Sequence, residues 1–443
     1  MTRRARRGLG LAQLIAVMFF TVSGGPFGLE GLVGDVGPGA ALLLLVATPL
    51  LYSVPEALLV GELASALPLE GGYYQWVKRA FGPFWGFWNG WLSWTYSLVD
   101  MAIYPVLFLQ YLRYFTPALG RFEGWVLALG VIWGATWLNL RGTRAVGLMS
   151  GWFVGVVLLP FGVLTVAALA LWLGRAAPAA LPVRPFHAPG TSFWGALGIG
   201  ISQSVWNYSG WDNASTISGE IEQASRTYPR ALGRALPLVA GVYVAAVVPV
   251  LALTDWRRWS DGAWPGLAAS ILGPGFGSWI ALGGMASAFA LFSALLLTYS
   301  RIPLVLAQDH LLPPALARCD ERGTPRQAVI ISALCYSGFA LLSFGGLLAA
   351  DVLLYSLALA LEFAALVHLR RAEPGLVGAF RVPVGRGVLV ALATLPLGLI
   401  ALAVVLELQS RALGVPGVVV AVALAAVGPA LYLLRTRRPA FAA

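Results

Sequence analysis

Charge is what this chain has least of. Only 11% of its 443 residues are Asp, Glu, Lys or Arg, against 59% hydrophobic, a balance too apolar for a soluble domain. Lysine is nearly absent: Lys78 stands alone and the rest of the basic set is arginine. Cys319 and Cys335 are too few and too unpatterned for a disulfide framework. His187, His310 and His368 form no metal-ligand spacing. No His/Cys/carboxylate cluster or nucleophile–base pair falls within the hydrophobic stretches, which argues against a membrane-embedded enzyme. No metal or cofactor is expected. A net charge of +10 does not call for nucleic acid, because membrane proteins gather Arg and Lys in their cytoplasmic loops.

What is present is apolar length. A span needs about 20 residues, and about twelve windows qualify, near 9–33, 40–66, 84–112, 122–140, 146–173, 192–219, 231–254, 277–303, 326–347, 349–369, 387–407 and 414–434. Met1 to Arg7 followed by an apolar run resembles a secretory signal. No small-residue cleavage site interrupts the run, so it reads as a retained first span. With a cytoplasmic N-terminus, roughly three quarters of the Lys and Arg fall on the cytoplasmic side. Both termini are therefore expected in the cytoplasm of a cell-membrane protein surrounded by lipid. The 28 prolines and 52 glycines suit kinked, closely packed helices.

Two windows are broken by polar residues. In the first, Ser23-Gly24-Gly25-Pro26-Phe27-Gly28 interrupts the apolar run; Pro26 removes a donor and the glycines tolerate positive φ. In the sixth, Trp206-Asn207-Tyr208-Ser209-Gly210-Trp211-Asp212-Asn213 offers side-chain alternatives to the helix ladder. Irregular backbone at membrane depth survives only where it lines an enclosed or wet cavity. An ionised Asp212 there costs at least about 2.5 kcal/mol. Breaks five spans apart point to an inverted-repeat secondary transporter. In the third window Ser93, Tyr96, Ser97, Asp100 and Tyr104 form one polar stripe at helical spacing. Asp100 makes that stripe a functional candidate. The sequons at Asn207 and Asn213 lie inside a span and are discounted as glycosylation sites. Glu56, Glu62 and Glu362 read as structural anchors. The segment 255–275, with Trp256, Arg257, Arg258, Trp259 and Trp264, reads as an amphipathic piece resting over the outer entrance.

The pattern resembles the amino acid–polyamine–organocation superfamily of permeases over nearly the whole chain. The resemblance is carried by Ser23 to Gly28, Gly61-Glu62-Leu63-Ala64-Ser65-Ala66-Leu67-Pro68 with Gly71-Gly72, Trp206 to Thr216, Ser300-Arg301-Ile302-Pro303, Arg322-Gly323-Thr324-Pro325 and Phe380-Arg381-Val382-Pro383. Ser53-Val54-Pro55-Glu56-Ala57-Leu58, Pro83-Phe84-Trp85-Gly86-Phe87 and Asp100 with Tyr104-Pro105-Val106-Leu107 are similar to the plant polyamine and amino-acid permease branch. The resemblance implies an all-α integral membrane fold of about twelve transmembrane helices. Its core would be an inverted 5+5 repeat, residues 1–369, with repeats near 9–173 and 192–369 and discontinuous helices 1 and 6. Residues 370–443 would add two peripheral helices and a tail. A substrate carboxylate would meet the backbone N–H groups of Ser23, Gly24, Gly25, Phe27 and Gly28 around Pro26, and an amino group the carbonyls of Trp206, Asn207, Tyr208 and Ser209. Trp206, Gly210 and Asp212 match the Trp-x-x-x-Gly-x-acid spacing of arginine and polyamine exchangers, with Trp206 stacking on the substrate.

One departure is plain. Some proton-coupled members carry a lysine in the fifth span, and this chain has only apolar and small residues at Val154 to Val157. A coupling proton would need another carrier: Glu30, Asp100, Asp212 or Glu220. The leading expectation is a secondary active transporter, permease or exchanger, working by alternating access on amino acids or polyamines. Asp100 and Asp212 in one cavity favour a cationic substrate. The alternative is a neutral amino-acid permease in which one of them carries the proton; a channel is a third reading. Oligomeric state is left open.

Overall fold

A computed structural model describes residues 8–174, 180–181, 183–340, 347–410 and 415–436; the reading of residues 1–7 lies outside them. The described chain is helical apart from turns and one isolated bridge between Leu9 and Ile221. In order the helices are α1 (Leu11–Val22), α2 (Leu29–Val36), α3 (Pro38–Thr48), α4 (Val54–Ala66), α5 (Tyr73–Phe81), α6 (Pro83–Leu112), α7 (Arg121–Asn139), α8 (Thr143–Leu173) and α9 (Phe193–Tyr208). They continue as α10 (Ala224–Leu253), α11 (Trp264–Leu272), α12 (Pro274–Tyr299), α13 (Arg301–Gln308), α14 (Arg326–Phe339), α15 (Leu347–Ala372), α16 (Arg386–Ser410) and α17 (Val415–Thr436). A π turn, Pro49–Ser53, joins α3 to α4, and a 3-10 turn, Asn213–Glu220, follows α9. Among the described residues, seven stretches are long and apolar enough to cross a membrane, from Pro38–Ala66 to Arg386–Glu407. The first and sixth windows are interrupted at the polar stretches: α1 gives way to α2 across 23–28, and α9 stops at Tyr208.

Local sequence sets the helix starts. α3, α6 and α12 each open on Gly-Pro, where proline's fixed φ suits the first turn and its missing donor would be unpaired anyway. α6 and α12 run against each other at the centre; α12 also packs on α8 and α7, and α6 on α15, α14 and α17. Gly90 of α6 lets Tyr74 and Ile302 come close. The outer faces of α8, α16 and α17 expose large apolar residues such as Trp152, Leu159, Val166, Leu402 and Val422, as lipid-facing helices do. α17 is tied to α6 by Trp88 and Trp91, whose indole N–H groups donate to the carbonyls of Ala425 and Leu424 at 3.0 and 2.8 Å.

Glu62 is an anchor: Arg370 Nε donates to its Oε1 at 2.6 Å, and Val382 N to its Oε2 at 2.8 Å. Glu362 departs from its expected pairing. It is fully buried, and neither carboxyl oxygen has a hydrogen-bond partner among the described residues. The 255–275 segment also departs. Trp259 and Trp264 are buried rather than resting on a surface, and Trp264 Nε1 donates to Pro26 O at 2.8 Å, inside the first break. Trp256 is partly buried, and Asp255, Arg257, Arg258, Ser260 and Asp261 face outward.

Candidate functional site

The two breaks meet. Gly210 adopts φ +99, and a Cβ there would lie 2.5 Å from the carbonyl oxygen of Thr21 in α1 and 2.9 Å from Asn213 Nδ2. Only glycine fits such backbone without strain. Gly210→Ala adds about 1–3 kcal/mol of backbone strain as well as the clash. Its transport rate in proteoliposomes is expected to fall about tenfold or more; parental uptake would show that the breaks need not touch.

Between the breaks lies a cavity lined by Thr21, Ser23, Phe27, Trp206, Asn207, Ser209 and Gly210. α6 contributes Tyr96, Asp100, Tyr104 and Leu107, and α12 and α15 contribute Leu291, Tyr299, Asp351 and Tyr355. Of the site residues expected from sequence, Ser23, Phe27, Asp100, Trp206, Asn207 and Ser209 share this wall. Gly24, Gly25 and Pro26 stand behind it. Gly24 abuts Leu291 and Ser287, and Gly25 abuts Val157. Tyr208 is turned away into the core, donating to Leu45 O at 2.9 Å. Gly28 faces a second pocket. Asp212 sits one contact behind the cavity, accepting from Tyr355 at 2.9 Å.

Asp100 is held on both oxygens: Tyr104 donates to Oδ1 at 2.8 Å and Tyr299 to Oδ2 at 3.0 Å. The stripe on α6 therefore divides. Tyr96, Asp100 and Tyr104 reach the cavity, whereas Ser93 and Ser97 donate back into their own helix. Asp351 was missed by sequence reasoning. It is buried, it lines the cavity, and its Oδ1 has no hydrogen-bond partner among the described residues. The signal was there: an acid between Ala350 and Val352. Among the described residues no Lys, Arg or His lines the cavity.

The backbone groups of the breaks are largely spent. Ser23 N and Gly24 N donate to Phe19 O at 2.9 and 3.1 Å, Gly25 N to Ser23 Oγ at 3.0 Å, and Gly28 N to Glu30 Oε2 at 2.9 Å. In the sixth break Ser209, Tyr243 and Ser53 donate to the carbonyls of Trp206, Asn207 and Tyr208. The N–H groups of the first break and the carbonyls of the sixth are thus already engaged within the chain.

Glu30 lies off the cavity as a clamp. It accepts from Tyr111 at 2.6 Å and from Gly262 N at 3.0 Å, binding the 255–263 segment to α2. The neighbouring pocket is lined by Gly28, Gly31, Gln110, Gln203 and Asp261, and it shares Trp206, Asn207 and Leu107 with the cavity. Trp206 thus separates the two spaces. Burial, with Asp35 a lesser cause, pushes the Asp261 carboxyl above its ordinary range. Beyond the cavity, at the end of the 213–220 turn, a second polar cluster stands. Glu220 accepts from Arg301 Nε and Nη2 at 3.0 and 2.8 Å and also receives the Thr143 hydroxyl. Leu9 and the 220–222 backbone exchange hydrogen bonds at 2.9 and 3.0 Å. Among the described residues no group of three or more His, Cys, Asp or Glu side chains could hold a metal ion.

Residues 9–427 match the model of an amino acid permease family. A probable polyamine transporter of Arabidopsis thaliana is 35% identical over 85% of this chain and 77% of its own length. Polyamine transporter PUT1 of Oryza sativa subsp. japonica is 34% identical over 90% of this chain and 74% of its own. Polyamine transporter RMV1 of Arabidopsis thaliana is 34% identical over 84% and 75%. Among solved structures, MhsT in complex with L-phenylalanine superposes with a TM-score of 0.61 at 15% identity, covering 90% of this chain and 98% of that one. That likeness speaks for the fold.

Proposed function

The chain belongs to the amino acid permease family and is an integral membrane transporter, and from that premise we propose that it carries organic di- and polycations by alternating access. The observation that carries the reading is the pair Asp100 and Asp351 on a cavity with no basic side chain in its wall. A carboxylate out of water is costly unless paired, and so is an ammonium. A diamine brings two ammonium groups to two carboxylates, and each then offsets the desolvation of the other. The curated relatives named as polyamine transporters support the same substrate class. Trp206 and the tyrosines give the alkyl chain and its charged ends aromatic faces, worth about 0.5–2 kcal/mol for a cation over a ring.

In this reading Trp206 is the barrier toward the pocket at Gln203 and Asp261, and the Arg301–Glu220 layer is the barrier toward the other side. In this reading the Arg301 side and both termini face the cytoplasm, an orientation supported by the excess of Lys and Arg in that set of loops. Residues 1–369 form the moving core in this reading, with α16 and α17 its support.

The test is uptake by purified protein in proteoliposomes. Labelled putrescine, spermidine, arginine and leucine are offered, with and without an inward proton gradient, to empty and preloaded vesicles. Saturable putrescine or spermidine uptake that excess leucine does not inhibit is the expected result. Uptake of leucine alone would sink the cation reading and leave a neutral amino-acid permease.

A further inference from the structure

Behind the cavity wall, away from Trp206, lies a second set of acids that substrate recognition does not use. Glu56, on α4, is fully buried. Tyr355 donates to its Oε1 at 2.9 Å, and the same hydroxyl stands 2.9 Å from Oδ1 of Asp212. Tyr355 also accepts from Gly210 N at 3.1 Å, and Trp211 N donates to Glu56 Oε1 at 3.2 Å. Glu56 Oε2 has no partner among the described residues. Other titratable groups face this pair from every side: Tyr52 from the π turn, Tyr228 from α10, Tyr73 from α5, and Glu362 from α15. None of them is a cation.

Hydrogen inventory decides what such an arrangement holds. A tyrosine hydroxyl carries one hydrogen and an ionised carboxylate carries none. Tyr355 therefore satisfies one carboxylate and leaves an oxygen–oxygen contact with the other that has no hydrogen in it. Two bare negative charges in a site without a cation would repel strongly as well. One added proton resolves both problems. Glu56 then donates to the Tyr355 oxygen, and Tyr355 donates to Asp212, which remains the charged end of the chain. Hydrogen-bonded chains of this kind polarise one another and strengthen.

We propose that Glu56, Tyr355 and Asp212 form a proton-binding site that couples to transport, with Glu56 holding the proton. The site takes one proton from the aqueous phase, and the charge of the two carboxylates goes from −2 to −1; release returns the proton to water. Tyr355 links this site to the cargo, because its ring lines the substrate cavity while its oxygen holds the backbone of the sixth break. An ammonium drawn to the cavity meets a less negative wall when the site is protonated and a more negative wall when it is not. The inference rests on the cation-transport reading above for its coupling, though not for the proton itself.

The experiment uses full-length protein in two formats. In proteoliposomes, initial putrescine uptake is followed against pH and against an imposed proton gradient for the parent, Glu56→Gln and Tyr355→Phe. In detergent, infrared difference spectra seek the carbonyl band of a protonated carboxylic acid at neutral pH. The parent is expected to show that band and a gradient-dependent rate. Glu56→Gln should lose the band and lower the gradient stimulation about tenfold. Tyr355→Phe, with the shared hydrogen gone, should shift the midpoint of the pH profile. A parental pH profile and gradient response in Glu56→Gln would overturn the proposal, and so would a parent spectrum with no carboxylic-acid band. If Glu56→Gln does not fold, an unchanged profile in Tyr355→Phe overturns it and a shifted one upholds it. A parent that moves no putrescine brings down the cation reading, while the infrared band still decides the proton site.

Discussion

Asp100→Asn is expected to lower kcat/KM for putrescine by about a hundredfold and to leave the fold standing. Stranding a buried charge by removing its partner costs about 3–5 kcal/mol, and about 3 kcal/mol is roughly a hundredfold. The lower end applies because Asp351 remains in the same wall. Asparagine is the informative replacement. Its carbonyl can accept from one of Tyr104 and Tyr299, and its amide can donate to the other, so the geometry around residue 100 survives. Thermal unfolding should therefore move little. Asp351→Asn separates the roles of the two acids: it should weaken putrescine strongly and butylamine, a monoamine of equal chain length, far less. The double variant should lose putrescine with non-additive kinetics, since both acids act on one ligand. Parental putrescine kinetics in Asp100→Asn would remove the main support for a cationic substrate.

Glu220→Ala is expected to loosen the layer that Arg301 and Glu220 form on the side away from Trp206. Arg301 is 1% exposed and spends all its donors locally: two go to Glu220, one to Thr143, and two to Leu297 O and Ser300 Oγ. Without Glu220 the guanidinium is a buried charge with neutral neighbours, again about 3–5 kcal/mol unfavourable. The cheapest escape is to open that layer to water. The Leu9–Glu220 and Glu222–Leu9 backbone bonds should then break more often, which hydrogen exchange at the Leu9 and Glu222 amides will report as faster. Melting should fall by several degrees. Replacing both partners, Glu220→Leu with Arg301→Met, should give a protein that melts above Glu220→Ala, because an apolar pair of similar volume is often neutral where a broken pair is not. Equal melting of parent and single variant would show that the pair does not hold this side shut.

Much of the architecture was legible because it is written in local chemistry. A glycine–proline break in an apolar run and a polar break five windows later can be read by period and composition alone, and both interruptions fall where expected, at 23–28 and after Tyr208. Asp100 was legible for the same reason: a stripe at helical spacing shares one face, and its members Tyr96, Asp100 and Tyr104 meet the cavity. Glu62 as an anchor followed the same logic and is tied to Arg370. Asp351 was not legible, because its worth comes from facing Asp100 across the cavity, 251 positions away in the chain. The pairing of Glu220 with Arg301 was equally hidden. A glutamate following a break reads as a titratable candidate until the rotation of α13 brings a guanidinium onto it. The Trp259 and Trp264 rings looked like surface aromatics because a short amphipathic segment carries no mark of how deeply it is inserted.

By itself, then, the sequence determined that the chain lives in a membrane, that two of its spans are interrupted, and that the two breaks and a polar stripe on the third span carry residues of the cavity wall. Hydropathy, helical period and the conformational demands of glycine and proline act within a few residues, and a single chain displays them openly. Only the tertiary structure decided which acids face one another, which break donors are already spent on their own chain, and that one tyrosine hydroxyl serves two carboxylates. Those outcomes depend on the rotation and depth of helices packed from distant parts of the chain. A shift of one residue along a helix turns a side chain by about 100°, enough to move a carboxylate from the cavity into the core.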